Sequence, residues 1–121
     1  MAKVTRVIDG DTIAIEGGYH IRYIGIDAPE KDKLCYIEAK QANKELVEGK
    51  RIRLEKDISE KDRYGRLLRY VYVEGTFINA EMVRNGYACA EAYAPDVKYQ
   101  VYLEAVEKEA RQTKRGIWRQ K

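Results

Sequence analysis

Two acidic segments and two arginines carry most of the chemistry this sequence could do. Asp11 follows Asp9-Gly10, and Asp27 and Glu30 flank the proline of Asp27-Ala28-Pro29-Glu30. A proline stops a strand, and carboxylates at a strand end can gather around a hard cation. Calcium accepts carboxylates, backbone carbonyls and waters with loose geometry, so two carboxylates plus waters suit it. Each segment also has a plainer reading, since Asp-Gly is a common turn pair and loop acids are usually solvated. Arg22 sits in an otherwise apolar run, Ile21 to Ile26. A guanidinium in such a place needs an assigned partner, either a carboxylate or a phosphate. Arg66 follows Tyr64-Gly65 at the start of another strand-like run, and alone it reads as a surface arginine.

Taken together, these parts match what phosphodiester hydrolysis needs. The reaction builds negative charge on a five-coordinate phosphorus, which a metal and two arginines neutralise. A carboxylate orients or deprotonates the attacking water, so neither cysteine nor serine is required. The lone histidine, His20, follows a Gly-Gly turn and reads as an ordinary strand residue. Parity sets a condition on the site. Along a regular strand Arg22 and Asp27 point to opposite faces. For both to meet one phosphate the strand must bend before Asp27, and Gly25 is the natural place.

The elements that position these groups follow from the hydrophobic pattern. Val4 to Ile8, Thr12 to Ile15 and His20 to Ile26 read as strands joined at Asp9-Gly10 and Gly17-Gly18. A helix is expected over about Glu38 to Glu48, with Ala39, Ala42 and Leu46 inward and Gly49 past its end. Arg51 to Glu55 and Leu67 to Val73 are the fourth and fifth strands, separated by a charged loop. Asn79 to Asn85 is a second helix, and Pro95-Asp96 opens a third that runs to about Lys114. Its Leu103, Val106 and Ala110 form one stripe. Ile117 and Trp118 are expected to fold back onto the barrel, because an exposed Trp wastes apolar surface. The order βββ-α-ββ-α-α is that of an α+β fold, a five-stranded OB-fold β-barrel with three α-helices, in a single domain over 1–121.

Composition sets limits. The 121 residues suffice for an apolar core without staples. The net charge of +3 permits a polyanionic partner without demanding one, so any positive charge that binds it must be concentrated locally. Lys31, Lys33, Arg63, Arg66 and Arg69 could ring the site and steer a polyanion. Cys35 and Cys89 lack the spacing of a zinc site and could form one disulfide or remain thiols. No apolar run reaches transmembrane length.

Three ordered blocks, Asp-Gly-Asp-Thr at 9–12, Arg-x5-Asp-x-Pro-Glu at 22–30 and Asp-x-Tyr-Gly-Arg at 62–66, resemble those of the staphylococcal nuclease family, the thermonucleases. The resemblance runs from Val4 to Trp118. It implies that Asp11, Asp27 and the backbone carbonyl of Ala28 bind Ca2+, with Thr12 supporting the metal's water shell. It implies that Glu30 is the general base, or positions the water, and that Arg22 and Arg66 clamp the phosphate. Arg63, Tyr64 and Tyr93 would contact substrate. The implied activity is calcium-dependent and sugar-non-specific, cutting DNA and RNA at the 5′ P–O bond and leaving 3′-phosphates. Two departures stand out: Glu91 replaces a tyrosine in Ala90-Glu91-Ala92-Tyr93-Ala94-Pro95, and Arg63 stands where a lysine is familiar. The loop after Glu30 is also short.

Two other functions compete. One is a catalytically silent OB-fold module that binds nucleic acid or protein, yet Asp11, Arg22, Asp27, Glu30 and Arg66 are all present. The other is a single-strand binder with exposed aromatics along a basic groove. Tyr70 and Tyr72 share a strand face, but Leu68 precedes them in phase and assigns them to the core. A monomer is expected. An extracytoplasmic location is favoured, since such an enzyme endangers a cytosol that holds DNA.

Overall fold

The computed structural model describes residues 1–119. Eight strands and three helices follow one another as β1 (Ala2–Asp9), β2 (Thr12–Ile15), β3 (His20–Tyr23), β4 (Ile26–Asp27), α1 (Tyr36–Val47), β5 (Arg51–Glu55), β6 (Leu67–Val73), β7 (Thr76–Phe77), α2 (Ile78–Arg84), β8 (Cys89–Ala90) and α3 (Gln100–Gln112). A short 3-10 turn, Gly116–Trp118, ends the described chain. The five longer strands pair in the order β3-β2-β1-β5-β6. A parallel pairing of β3 with β6, Ile21 opposite Leu67 and Tyr23 opposite Arg69, closes the barrel. This is the five-stranded OB-type barrel, α+β in class, expected from the element order.

The barrel closes because its strands bring β-branched residues inward. Val4, Val7, Ile13, Ile15, Ile21, Ile52, Val71 and Val73 are all buried in one core with Ala39 and Val47 of α1. Helix α1 differs in detail from expectation. It starts two residues early, and its buried stripe is Ala39, Asn43 and Val47, with Ala42 and Leu46 at the margins. Burying Asn43 among apolar neighbours requires partners for its amide, and the site supplies them.

Three expectations need correction. The third strand does not continue to Ile26. It ends at Tyr23, because Gly25 has φ +82 and redirects the chain, so that Ile26–Asp27 pairs instead with Cys89–Ala90. A side chain at Gly25 would also meet Leu103 Cδ1 at 2.6 Å. Helix α3 does not open at Pro95-Asp96 but at Gln100, since the Asp96 carboxylate is taken by the 58–59 backbone rather than by a helix start. Trp118 does fold back, but its visible partners are the α3 side, where Arg111 lies 4.4 Å over the ring, and the Gly86 turn, where Ile117 N–H donates to the carbonyl.

Tyr70 and Tyr72 are not part of the barrel core. Val71 and Val73 take the inner face of β6. The two tyrosines point the other way into an aromatic cluster, with Tyr70 edge-on to Tyr99 at 4.6 Å and Tyr72 stacked on Phe77 at 5.0 Å. Tyr70 is nonetheless buried. Cys35 and Cys89 are free thiols.

Candidate active site

Arg22 is built into the bend that the parity argument required. It stands opposite Thr12 on β3, next to the hairpin turn that carries Asp11. Its Nη1 donates to the carbonyls of Tyr23 and Ile26 at 2.7 and 2.9 Å, bridging both sides of the Gly25 turn. Its Nη2 lies 3.3 Å from Asp11 Oδ2 and 3.3 Å from Asp27 Oδ1. One guanidinium thus holds the bend and draws together an acid of the hairpin turn and an acid of β4. Asp11 is 6% exposed, and its Oδ2 also accepts from Ala28 N–H at 2.8 Å. Close contact fixes the hairpin against the 28–30 segment. A Cβ on Gly10 would lie 2.7 Å from Ala28 Cβ and 3.0 Å from Ala39 Cβ. Glycine is needed there for space, not for a left-handed turn.

Two buried asparagines brace this arrangement, and the sequence reading did not single them out. Asn43 accepts from Tyr23 O–H at 2.7 Å and donates to the Asp9 carbonyl at 2.9 Å. Asn79 donates to the Ile24 carbonyl and accepts from Val71 N–H, each at 2.9 Å. Asn43 ties α1 to the ends of β1 and β3, and Asn79 ties α2 to the Gly25 bend and to β6. Their signal was an amide on the inward face of a helix, where an unpaired polar group costs about 1–3 kcal/mol and so marks a partner.

Arg66 is held from a second side. Asp62 Oδ1 accepts from the Tyr64 and Arg66 N–H groups, and Asp62 Oδ2 accepts from Arg66 Nε at 2.7 Å. Arg66 Nη1 reaches the Thr12 hydroxyl at 3.5 Å, which itself donates to Asp11 Oδ1 at 3.0 Å. Thr12 is buried behind Asp11, so in this structure it touches the carboxylate and the arginine. Arg66 Nη2 has no hydrogen-bond partner among the described residues.

A cavity of about 650 Å³ is lined by Asp11, Arg22, Asp27, Ala28, Glu30, Arg63, Tyr64, Arg66 and Tyr93. Asp9 shares the wall. Tyr64 is 69% exposed at the rim, with the Arg63 and Arg66 guanidiniums 5.1 and 5.5 Å from its ring centre. Of the basic residues expected to ring the site, Arg63 and Arg66 line this cavity. Arg69 does not, because Glu60 and the backbone carbonyls of Glu60 and Leu68 take its guanidinium.

The cavity is crowded with negative charge. Burial pushes the Asp9 carboxyl up to about 6, and the hydrogen bond and charge of Asp11 add to the effect. Asp27 is raised by partial burial and then by Asp11, with Glu91 and Glu30 adding to it and Arg22 opposing. Acids that resist ionisation despite a neighbouring guanidinium mark a place short of positive charge. A hard cation fits that deficit. Among the described residues no group of three or more His, Cys, Asp or Glu side chains is placed to hold a metal. An ion here must therefore complete its shell from backbone oxygen and water, as calcium readily does.

Residues 20–120 match the family model described as staphylococcal nuclease homologue. The chain belongs to the staphylococcal nuclease family. A thermonuclease of Staphylococcus hyicus is 39% identical, over 96% of this chain and 74% of that protein. Endonuclease YncB of Bacillus subtilis (strain 168) is 40% identical, over 93% of this chain and 59% of its own length. An uncharacterized endonuclease of Escherichia coli O157:H7 is also 40% identical, over 96% of this chain and 75% of that protein. Within this nuclease family the Glu91 departure has a defined place. Glu91 N–H donates to the Gly25 carbonyl at 2.8 Å, fixing its backbone beside the Arg22 bend. Its charge is felt at Asp27 and Tyr93.

Proposed function

We propose that this protein is a calcium-dependent, sugar-non-specific nuclease that hydrolyses phosphodiester bonds of DNA and RNA and leaves 3′-phosphates. One observation carries the reading: Asp11, Asp27, Glu30, Arg22 and Arg66 all line a single open cavity. Asp11, Asp27 and the Ala28 carbonyl would hold the ion. Bound there, it would supply Lewis-acid charge against a phosphate oxygen.

The protein's own residues supply the rest. Arg66 is oriented by Asp62 and offers an unpaired Nη2 edge to a phosphate oxygen. Arg22 is immobilised by two carbonyls and adds fixed positive charge at the cavity floor. Such preorganised charge stabilises a five-coordinate phosphorus without further rearrangement. Glu30 is exposed, makes no side-chain hydrogen bond within the described residues, and acts as the base. It takes a proton from water as the water oxygen attacks phosphorus. The P–O5′ bond breaks, and the leaving oxygen is protonated from solvent. Arg63, Tyr64 and Tyr93 contact the substrate at the rim, and Thr12 acts through Asp11.

The test is cleavage of denatured and duplex DNA and of RNA, with calcium and with chelator, beside Glu30→Ala and Arg66→Ala. Calcium-dependent cleavage lost in both variants is the expected result. Products should carry 5′-hydroxyls that a polynucleotide kinase labels directly. Retention of DNA without cleavage by the wild type would instead indicate a silent binding module. Activity in magnesium within about twofold of that in calcium would sink the calcium preference, which rests on calcium's looser geometry. A monomer is part of the proposal, checked by light scattering. So is an extracytoplasmic location, checked by fractionating the source cells.

A further inference from the structure

Asp11 and Asp27 are fixed to different degrees. Asp11 is buried and accepts from Ala28 N–H and the Thr12 hydroxyl. The exposed Asp27 carboxylate has one hydrogen-bond partner among the described residues, Arg22 Nη2 at 3.3 Å. The backbone of Asp27 belongs to β4, which is two residues long and paired with β8, equally short, as a separate two-stranded ribbon. An isolated ribbon of two strands is marginal in water even when longer. Support must come from outside it, and one face of α3 supplies it. Gln100, Leu103 and Glu107 stand at i, i+3 and i+7 and project from the same side of the helix. Gln100 Oε1 and Leu103 Cδ1 back the Gly25 bend, 3.2 and 2.6 Å from where a Cβ on that glycine would stand. Glu107 takes the ribbon itself. Glu91 N–H donates across the ribbon to the Gly25 carbonyl at 2.8 Å, so the preceding N–H, that of Ala90, faces away from β4. There it donates to Glu107 Oε1 at 2.8 Å. Ala90 adjoins Cys89, the residue paired with Asp27. Glu107 is anchored in turn, with Oε2 3.5 Å from Arg111 Nε and the Arg111 guanidinium 4.4 Å over the Trp118 ring.

We infer that Glu107 is a positioning residue for the metal site: by holding the free edge of β8 it keeps Asp27 where one cation can be shared with Asp11. The inference rests on the nuclease reading, in which Asp27 is a ligand of the ion, and adds to it the residue that sets that ligand in place. Glu107 touches neither ion nor substrate and acts through the β8–β4 pairing. An ion that must first order a loose ligand binds more weakly by the free energy of that ordering. With β8 fixed to α3, the ordering is done in the fold before the ion arrives.

Two variants separate this role from a general effect of charge. Glu107→Gln keeps an Oε1 acceptor for Ala90 N–H and loses the charge. Glu107→Asp keeps the charge and, one methylene shorter, draws the acceptor back from Ala90. Calcium affinity is measured by calorimetry on wild type and both variants, with folding checked by near-UV circular dichroism. Glu107→Asp should raise the calcium Kd about three- to tenfold, less than the roughly 10–100-fold expected for a partner bonded to the ligand itself, and Glu107→Gln should stay within about twofold of wild type. A larger loss in Glu107→Gln would mean that Glu107 acts only through its charge. Equal affinities in all three proteins, or equal losses in both variants, would mean that its bond to Ala90 does not set Asp27. Each of these results overturns the inference.

A second measurement uses the wild type alone and decides the matter even if Glu107→Asp does not fold. Coupling between two events is reciprocal, so if the Glu107 bond favours calcium, calcium favours the bond by the same factor. Hydrogen exchange of the Ala90 amide should therefore slow about three- to tenfold at saturating calcium. Exchange of the Lys98 amide, bonded to Asp57 at 3.0 Å on an exposed part of the surface, should not change. An Ala90 rate indifferent to calcium, or a slowing shared equally by Lys98, would overturn the inference. Absence of calcium binding by the wild type is a different failure: it would reject calcium in the nuclease reading and this inference with it.

Discussion

Carboxylates crowd together at two places in this molecule, and they are treated in opposite ways. At the mouth, Asp9, Asp11 and Asp27 share one buried-to-open wall with a single guanidinium between two of them. Asp9 and Asp27 are held above the ordinary carboxylate range, chiefly by burial and then by Asp11. At the flank, where β5 and β6 meet the start of α3, each acid has its own donors. Glu55 accepts from Tyr72 O–H, Tyr99 O–H and Lys98 Nζ. Asp57 accepts from Tyr70 O–H at 2.6 Å and Lys98 N–H at 3.0 Å. Asp96 Oδ1 accepts from the Ile58 and Ser59 N–H groups at 3.0 and 2.7 Å. Burial alone would raise Glu55 and Asp96, yet their donors hold both below the usual range. Glu55 and Asp96 stabilise the fold in their ionised form. Asp9 and Asp27 oppose it in that form, as expected of groups arranged to meet a cation and a phosphate.

The sharpest way to separate the two regions is to remove one acid from each. Glu30→Ala should lower kcat by about 10²- to 10⁴-fold, the usual span for a lost general base, while stability stays within about 0.5 kcal/mol because the residue is exposed. A comparable loss of stability would mean that Glu30 belongs with the structural acids. Asp96→Ala should do the reverse. It strands two backbone donors of the 58–59 segment and should cost about 2–3 kcal/mol, read as a lower denaturant midpoint. The sign of its pH dependence follows from the depressed carboxyl. The contribution of Asp96 is present above the ordinary value of 3.8 and is lost as pH falls through the lower folded value. Wild type and variant should therefore converge in acid.

The sequence made the two regions unequally legible. The mouth announces itself because its acids and arginines sit in short blocks with fixed spacing, and the period-two argument demanded a bend that Gly25 supplies. The barrel was legible for the same reason, since β-branched runs alternate along its strands. The flank joins residues more than 40 positions apart, as in the bond from Lys98 to Glu55, and no local period records such a pairing. Tyr70 and Tyr72 were therefore both assigned to the core, where Tyr70 is buried and Tyr72 only half-buried, and nothing local showed that their hydroxyls meet acids on a neighbouring loop and strand. The start of α3 was misplaced on similar grounds. Pro-Asp is a sound helix opening by composition, but the Asp96 carboxylate was already committed to a distant loop.

Neutralising a mouth acid should stabilise the protein. Asp9→Asn keeps an Oδ1 acceptor for the Asp11 N–H, a 3.0 Å bond in the wild type, and removes a charge that the site resists. Because Asp9 is raised to about 6, its ionisation weakens the fold as pH climbs from the unfolded value of 3.8 through that point. At pH 7 the variant should gain about 1 kcal/mol, after discounting for the side chain's partial exposure. Below pH 4 the gain should vanish. Thermal melts across that window check it, and a variant less stable at pH 7 would show that the mouth acids are satisfied after all.

The smallest effect expected is at the flank, from Tyr72→Phe. The substitution removes one of the donors on Glu55 and leaves Tyr99 and Lys98 in place. The ring keeps its stack on Phe77 and the Arg53 guanidinium 4.0 Å above it, so packing is unchanged. The loss should be about 0.5–1 kcal/mol at pH 7, the net worth of one hydrogen bond with its acceptor still served by others. Glu55 should titrate closer to its ordinary value of 4.5, and the deficit should shrink as pH falls below it. Carboxyl chemical shifts followed through an acid titration report both. A variant that is more stable than the wild type would mean that Glu55 is crowded rather than served, and the contrast between the two acid clusters would not hold.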